Sequence, residues 1–422
     1  MEALSVGLVL FLAGIGLPLF LVMGILALLL FYFAEVESAA VIIELYRLAS
    51  APTILTIPLF TLAGYIISES KAPQRIFKAV ESVTSFIPSS VALVSLIVCA
   101  FFTAFTGASG ITIIALGGII YPILQKEKYS DDFSVGLITT SGSLGLLFPP
   151  SLPLILYGII GNVDIDKLFL AGIIPGIILI LLLYGYSILR RPVQDKTIEK
   201  KTYTLTEIKA ALWSARYELP LPFIVLTAIY GGFTTVTETA TLILVYVFLV
   251  EVVILKDVSL KLHFPKIIKE SMSLIGSILM ILCCALGFTN YLIDEEIPQK
   301  IFILVESVVE SKWQFLIVLN IFLLIIGALM DIFSAIIVVV PIIIPLAEQY
   351  GIDPIHLAII FLTNLEIGFL TPPVGINLFI SSFRFNRSIV DLYKVSFPFL
   401  ITLIIGLLII TFFEDLSLFL VR

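Results

Sequence analysis

The chain has 422 residues, 60% of them hydrophobic and 13% charged, and a formal net charge of -7. Soluble domains carry about 25% charged residues, so a mean hydropathy of +1.16 marks an all-α polytopic membrane protein, and the acidic balance argues against a nucleic-acid partner. Two histidines (His263, His356) and three cysteines in apolar runs (Cys99, Cys283, Cys284) are too few for a histidine-rich metal centre or a disulfide framework, and no cofactor is expected.

A helix needs about 20 apolar residues to cross the hydrocarbon core. The first apolar run, 4–33, is too long for the core of a cleaved signal peptide. It fits one tilted helix or two short ones broken near Gly14–Pro18. With the span 52–68 it makes a scaffold block, 1–70. Residues 71–87 alternate apolar positions with Lys71, Arg75 and Lys78, too charged to span, and read as an arm helix lying in one interface.

Block 88–161 is apolar but repeatedly interrupted. Its first part, 88–106, runs apolar to the turn Thr103-Ala104-Phe105-Thr106-Gly107-Ala108-Ser109-Gly110, and 111–124 runs apolar again. This pattern predicts a re-entrant hairpin or a close pair of spans. The small tip residues let backbone approach a ligand closely. Ser109 and Thr112 stand at the start of the returning arm, where free amides favour an anion. Close helix packing is the structural alternative. Residues 133–161 then break at Ser141-Gly142-Ser143-Leu144-Gly145 and Pro149-Pro150-Ser151. Paired prolines remove two donors and free upstream carbonyls, hard oxygen ligands that suit sodium, while the second half-helix beginning at Ser151 suits a substrate carboxylate.

Block 162–216 holds the span 168–189 and a loop, 190–216, with seven basic residues against three acids. The positive-inside rule makes that loop cytoplasmic. Residues 162–167 and the acids Glu35, Glu37 and Glu44 then fall outside, and 126–128 inside. Going forward, the lysines of 256–269 and Arg384, Arg387 and Lys394 fall inside, and the C-terminus, with Glu414 and Asp415, falls outside.

Scaffold block 217–295 contains candidate spans 217–231, 236–255 and 272–292, and 296–312 is a second interfacial arm. Block 313–383 repeats the interrupted pattern: 315–329, a turn at Met330-Asp331-Ile332-Phe333-Ser334-Ala335, and a return over 336–347. An acid near the membrane midplane is costly unless paired or bound to a cation; Asp331 can equally N-cap the returning arm. The second broken helix reads Asn364-Leu365-Glu366-Ile367-Gly368, then Thr371-Pro372-Pro373-Val374-Gly375-Ile376-Asn377. Asn377 opens its second half as Ser151 does in the first. Glu366 could titrate, pair elsewhere or face a neighbouring subunit. Block 384–422 holds the final span, 395–413.

The two halves are copies. PQRIFKAVES at 73–82 and PQKIFILVES at 298–307 share seven identities in ten, and Pro122, Gly145 and Pro149–Pro150 match Pro345, Gly368 and Pro372–Pro373 at an offset of 223. The first arm is basic and inside; its twin, flanked by Asp294, Glu295, Glu296 and Glu310, is outside. Inverted repeats with discontinuous helices are the architecture of secondary transporters.

The segments FFTAFTGASGITIIALGG (101–118), GLLFPPSLPLILYG (145–158), KLFLAGIIPG (167–176), GALMDIFSAIIVVVPIIIP (327–345) and NLEIGFLTPPVGINLF (364–379) resemble the large membrane subunit of the tripartite ATP-independent periplasmic (TRAP) transporters, across essentially the whole chain. The resemblance implies a non-enzymatic, sodium-coupled importer of an organic acid such as a dicarboxylate or sialic acid, in a bacterial inner membrane. Its implied partners are an extracytoplasmic solute-binding protein and a small four-helix membrane subunit, expected as a separate polypeptide. It also implies an elevator motion and one sodium site per half. Carried over, those sites comprise Gly107, Ser109, Gly110, Gly142, Ser143 and Gly145 in the first half. In the second they comprise Asp331, Ser334, Gly368, Thr371 and Gly375. The substrate residues are Thr106, Ser109, Thr112, Ser151, Asn364, Thr371 and Asn377. A gradient-driven machine agrees with the lack of a GxxxxGK[ST] phosphate loop. The rivals are a one-component sodium-coupled carboxylate or anion transporter, an integral membrane enzyme and a channel.

Overall fold

The computed structural model describes residues 2–14, 16–34, 42, 43, 46, 50–190, 203–306 and 309–422. Glu35, Glu37 and Glu44, residues 191–202 of the basic loop, and the end of the second repeat segment at 307–308 lie outside the described residues. Within them every regular element is a helix. That is what oil requires of an open chain, because a helix pairs its own backbone groups. Among the described residues, eight helices are long and apolar enough to cross a membrane, nine if a bent pair counts as one.

The opening run resolves into two helices, Glu2–Gly14 and Leu19–Phe33, parted at Gly16, whose φ is +107°, and Pro18. The scaffold continues with Thr56–Glu69, Val236–Phe248 and Phe264–Asp294. Phe264–Asp294 has 31 residues, longer than the 272–292 expected. The expected span 217–231 is instead a ten-residue helix, Leu221–Tyr230. At 1.5 Å per residue it reaches about 15 Å, half a bilayer core. Its ends explain the shortfall. Glu218, just before it, is committed to an ion cluster, and Gly231-Gly232, with Gly232 at φ +68°, stop it.

Both halves present the same order: arm, hairpin, broken helix, long helix. The arms are Ala72–Thr84 and Ile297–Glu306. The hairpins pair Ser90–Thr106 with Ser109–Lys126, and Lys312–Leu329 with Ile332–Gln349. The broken helices are Asp131–Ser141 with Leu152–Gly161, and Pro354–Gly368 with Ile376–Phe385. A short 3-10 turn, Leu144–Leu147, fills the first break, where the axis bends by 43°. The long helices are Ile165–Leu189 and Ile389–Phe412. The halves interleave. The returning arm of the second hairpin packs on Leu152–Gly161, the final helix on Asp131–Ser141, and Ile376–Phe385 on the first hairpin.

The arms are anchored differently. Arg75 on the first donates through Nε to Glu218 (2.6 Å), through Nη2 to both oxygens of Glu251 (3.1 and 3.0 Å), and through Nη1 to Asp257. The side chains of Glu218 and Glu251 are each 1% exposed. Burial by itself would depress the Arg75 guanidinium, but the bonds to Asp257, Glu251 and Glu218 hold it above its ordinary value. Lys300, at the matching position of the second arm, meets only Glu295 among the described residues, 3.5 Å away and solvent-exposed.

Candidate functional site

In the first half the hairpin closes on the break. Gly107 ends the outgoing arm at φ +63°, a left-handed turn that a side chain disfavours; a β-carbon there would also overlap Leu152, next to Ser151. Gly145 lets the broken helix cross the outgoing arm: a β-carbon would lie 2.6 Å from Thr103 Cβ and overlap the backbone of Ala100 and Ala104. Gly142 faces the Ser109 carbonyl and Ile113. The Thr103 hydroxyl lies 2.7 Å from both the Thr112 hydroxyl and the Gly142 carbonyl oxygen. Thr103 is the donor to both, and its single proton is shared between them. Nothing caps the returning arm by side chain at Ala108–Ser109, which leaves its first amides available to an anion. The start of Leu152–Gly161 differs, since the Ser151 hydroxyl accepts from Leu154 N (3.5 Å). Thr106 makes only long contacts to Ala108 (3.4 and 3.5 Å), and its backbone presses on Gly64 of the scaffold.

The second half reaches into this assembly. Asn377, fully buried, donates to the Thr139 carbonyl (3.3 Å) and the Ser143 hydroxyl (3.4 Å). Thr139 and Ser381 share a 2.7 Å hydroxyl contact, and Gly110 makes room for Ile380. Gly107, Ser109, Gly110, Thr112, Gly142, Ser143, Gly145, Ser151 and Asn377 therefore form one contiguous region.

The remaining candidates are less tightly joined. Gly368 crosses the second hairpin at Gly327, where a β-carbon would lie 2.5 Å from Gly327 Cα; the first-half crossing, Gly145 on Ala104, is its counterpart at the same offset. Gly375 (φ +56°) and Thr371, whose hydroxyl donates to the Ile367 carbonyl (3.0 Å), shape the break. Asn364 is turned to the hairpin, donating to Asn320 (2.7 Å) and the Ile360 carbonyl (2.8 Å). Asp331 caps its own helix, accepting from the amides of Phe333 and Ser334 (3.0 Å each) and from the Ser334 hydroxyl. Val374 N donates to the Ala328 carbonyl (3.2 Å), joining this hairpin to the break three residues short of Asp331.

Ser89, Glu218 and Ser396 each leave one buried oxygen unbonded, and among the described residues five more find no partner: Asn364 Oδ1, both Glu366 oxygens, Asn377 Oδ1 and the Thr140 hydroxyl. These five belong to residues that are fully buried and sit in or beside the two breaks. Each unmet acceptor costs about 1–3 kcal/mol, so their clustering is chemically informative. They present acceptors of the type that hard cations prefer. The breaks themselves differ in exposure: Pro149–Ser151 is buried, whereas Pro372–Val374 is exposed.

Sequence reasoning placed Thr103 in the hairpin turn without a role and missed Thr139, Asn320 and Ser381; these four tie the site together. A lone Asn in the apolar run LIVLNIFLLI, like Glu251 in FLVEVVIL, was the available signal, because a polar side chain in oil needs a partner.

The family model of the tripartite ATP-independent periplasmic transporter DctM component matches residues 6–416. The C4-dicarboxylate TRAP transporter large permease protein DctM of Pseudomonas aeruginosa is 34% identical over 397 residues, covering 94% of this chain and 92% of that one. The isethionate TRAP transporter permease protein DctMQ of Oleidesulfovibrio alaskensis is 32% identical, over 87% of this chain and 58% of that longer protein. Among solved structures, the YdaH transporter of Alcanivorax borkumensis superposes with a TM-score of 0.56 at 12% identity, covering 89% and 87% of the two chains, a likeness of fold.

Proposed function

Because the chain belongs to the DctM component family of the tripartite ATP-independent periplasmic transporters, we propose that it is the translocating subunit of a sodium-coupled importer of an organic acid. The acid is handed over by an extracytoplasmic binding protein, and a small four-helix membrane subunit braces the chain. The observation that carries the reading is the set of donorless buried oxygens at the breaks, Asn364 Oδ1, Asn377 Oδ1 and the Glu366 carboxylate, acceptors that a small hard cation would satisfy. The uncapped amides after Ala108 supply the complementary, anion-favouring end. The relatives' names, C4-dicarboxylate and isethionate, favour a small anionic solute.

In this reading the hairpins are re-entrant, and with the broken helices they form a body that moves as an elevator against the remaining scaffold. The sodium sites are Gly107, Ser109, Gly110, Gly142, Ser143 and Gly145, and Asp331, Ser334, Gly368, Thr371 and Gly375. Thr106, Ser109, Thr112, Ser151, Asn364, Thr371 and Asn377 meet the solute, and the unbonded Asn364 and Asn377 oxygens, with the Glu366 carboxylate, face the ions where the two sites adjoin. Each sodium entering gains about 2.3 kcal/mol per 100 mV, enough for two or more ions to concentrate an acid strongly.

The test is uptake of radiolabelled C4-dicarboxylates, isethionate and sialic acid into proteoliposomes holding the chain and its small subunit, with the binding protein outside. Uptake of one acid under an inward sodium gradient, abolished when potassium replaces sodium, is expected. Sodium-independent uptake would overturn the coupling. Equal uptake without binding protein would favour a one-component carrier.

A further inference from the structure

Gly117 and Gly118 form a notch in the returning arm of the first hairpin, and Arg384 lies in it. A β-carbon at Gly118 would overlap the Arg384 guanidinium and stand 3.4 Å from its Cζ. One at Gly117 would stand 3.7 Å from Arg384 Cγ and 3.2 Å from the Phe385 ring. The notch opens into a cavity of about 310 Å³, whose polar lining is Tyr121, Asp131, Arg384 and Arg387. Three of these four groups are spoken for. Arg387 binds Asp131, Asp132 (2.8 Å) and Asp391 (3.0 Å), and the Tyr121 hydroxyl donates to Asp131. Arg384 has no carboxylate partner among the described residues and is exposed to the cavity mouth.

Its position on the helix gives the arrangement a direction. Arg384 follows Asn377 by seven residues, two turns, so the two share one face about 10 Å apart. Between them Ser381 meets Thr139. One helix face therefore carries Asn377, Ser381 and Arg384 from the break to the end that the basic residues mark as cytoplasmic.

We propose that Arg384 forms a carboxylate-binding subsite at the cytoplasmic mouth, where an organic acid leaving the break is held before release. The planar guanidinium fork matches a carboxylate bidentately. Asp131 does not occupy the fork, because its two oxygens are bonded to Tyr121 and Arg387. The transport role rests on the function proposed above; the binding chemistry does not. A lipid phosphate offers the same oxyanion chemistry, and the experiment separates the two sources.

The purified chain is placed in nanodiscs of phosphatidylcholine alone, and modification of Arg384 by phenylglyoxal is followed by peptide mass spectrometry. With a millimolar Kd, about 10 mM succinate slows labelling roughly tenfold, as 1 + [L]/Kd. Neutral succinamide leaves the rate unchanged, and Arg190 serves as the unprotected reference. Equal Arg384 labelling with and without succinate overturns the proposal. Protection by phosphatidylglycerol in the disc, with none from succinate, also overturns it and assigns the guanidinium to a headgroup. Because labelling is read without any sodium gradient, failure of driven uptake and failure of this subsite are separate results.

Discussion

Asp331 joins a charge and a cap in one residue, and the two are separable by substitution. Asn caps as well as Asp, whereas Ala loses about 1 kcal/mol. Asp331→Ala is expected to lower the thermal midpoint in detergent and Asp331→Asn to leave it nearly unchanged. If the carboxylate also binds sodium, both variants lose sodium-dependent uptake; wild-type sodium dependence in Asp331→Asn would reduce the residue to its cap. Gly368 poses a steric question. Its β-carbon would strike the backbone of Gly327, which cannot rotate away as a side chain would. Gly368→Ala should cost about 1–3 kcal/mol through overpacking and suppress uptake, read as a lower thermal midpoint with reduced transport. Wild-type behaviour would mean that the crossing opens freely. The glycines before each Pro-Pro pair were legible in the sequence as points of unwinding. Their second service, letting two helices cross at contact distance, was not, because the crossing partner is 41 to 45 residues away (Gly368 to Gly327, Gly145 to Ala100) and nothing local announces it.

Between elements, the two arms separate what the repeat makes equivalent. Their sequences match in seven of ten positions, yet Arg75 gathers Glu218, Glu251 and Asp257 from the scaffold while Lys300 stays in solvent. Removing Arg75 leaves Glu218 and Glu251 buried with no counter-charge among the described residues, and Asp257 with only the exposed Lys71, 3.8 Å away. Arg75→Gln should destabilise by roughly 3–5 kcal/mol, the usual consequence of breaking a buried pair, whereas Lys300→Gln should cost less than about 1 kcal/mol, as exposed pairs do. Thermal unfolding of both variants in detergent checks the contrast, and equal shifts would refute it. Arg75→Lys is not expected to rescue fully, since one ammonium cannot span three carboxylates as a guanidinium fork does. This asymmetry ties the first arm to Glu218, Glu251 and Asp257 and leaves the second without a buried ionic anchor among the described residues. The periodicity of 71–87 predicted an amphipathic arm. It did not predict the anchor, because the acids lie 143, 176 and 182 residues from Arg75.

At the level of the whole molecule, the basic loops orient every span through one assumption, and side-specific labelling tests it. After replacement of Cys99, Cys283 and Cys284, a cysteine at Asn162 should react with a membrane-impermeant maleimide from outside intact cells. A cysteine at Lys128 should react only after permeabilisation. Both sites are at helix ends with positive φ, so the label meets chain outside the spans. The reverse pattern would invert the topology, and labelling of both from one side would remove the inverted repeat. The sequence by itself determined the helical class, the two short amphipathic helices, the turns at 107–108 and 330–331 and the two breaks, because hydropathy, small-residue runs and proline act over a few residues of backbone. It also carried too far at 217–231, where apolarity alone suggested a span and Glu218's distant partner shortened the helix. Only the tertiary structure decided which polar groups meet: Asn377 reaching 238 residues back to Thr139, Asn364 turning to Asn320, Arg384 settling into the Gly117–Gly118 notch. Those pairings depend on how the two halves pack against each other, and in an interior with no water to satisfy a polar atom, packing alone selects its partner.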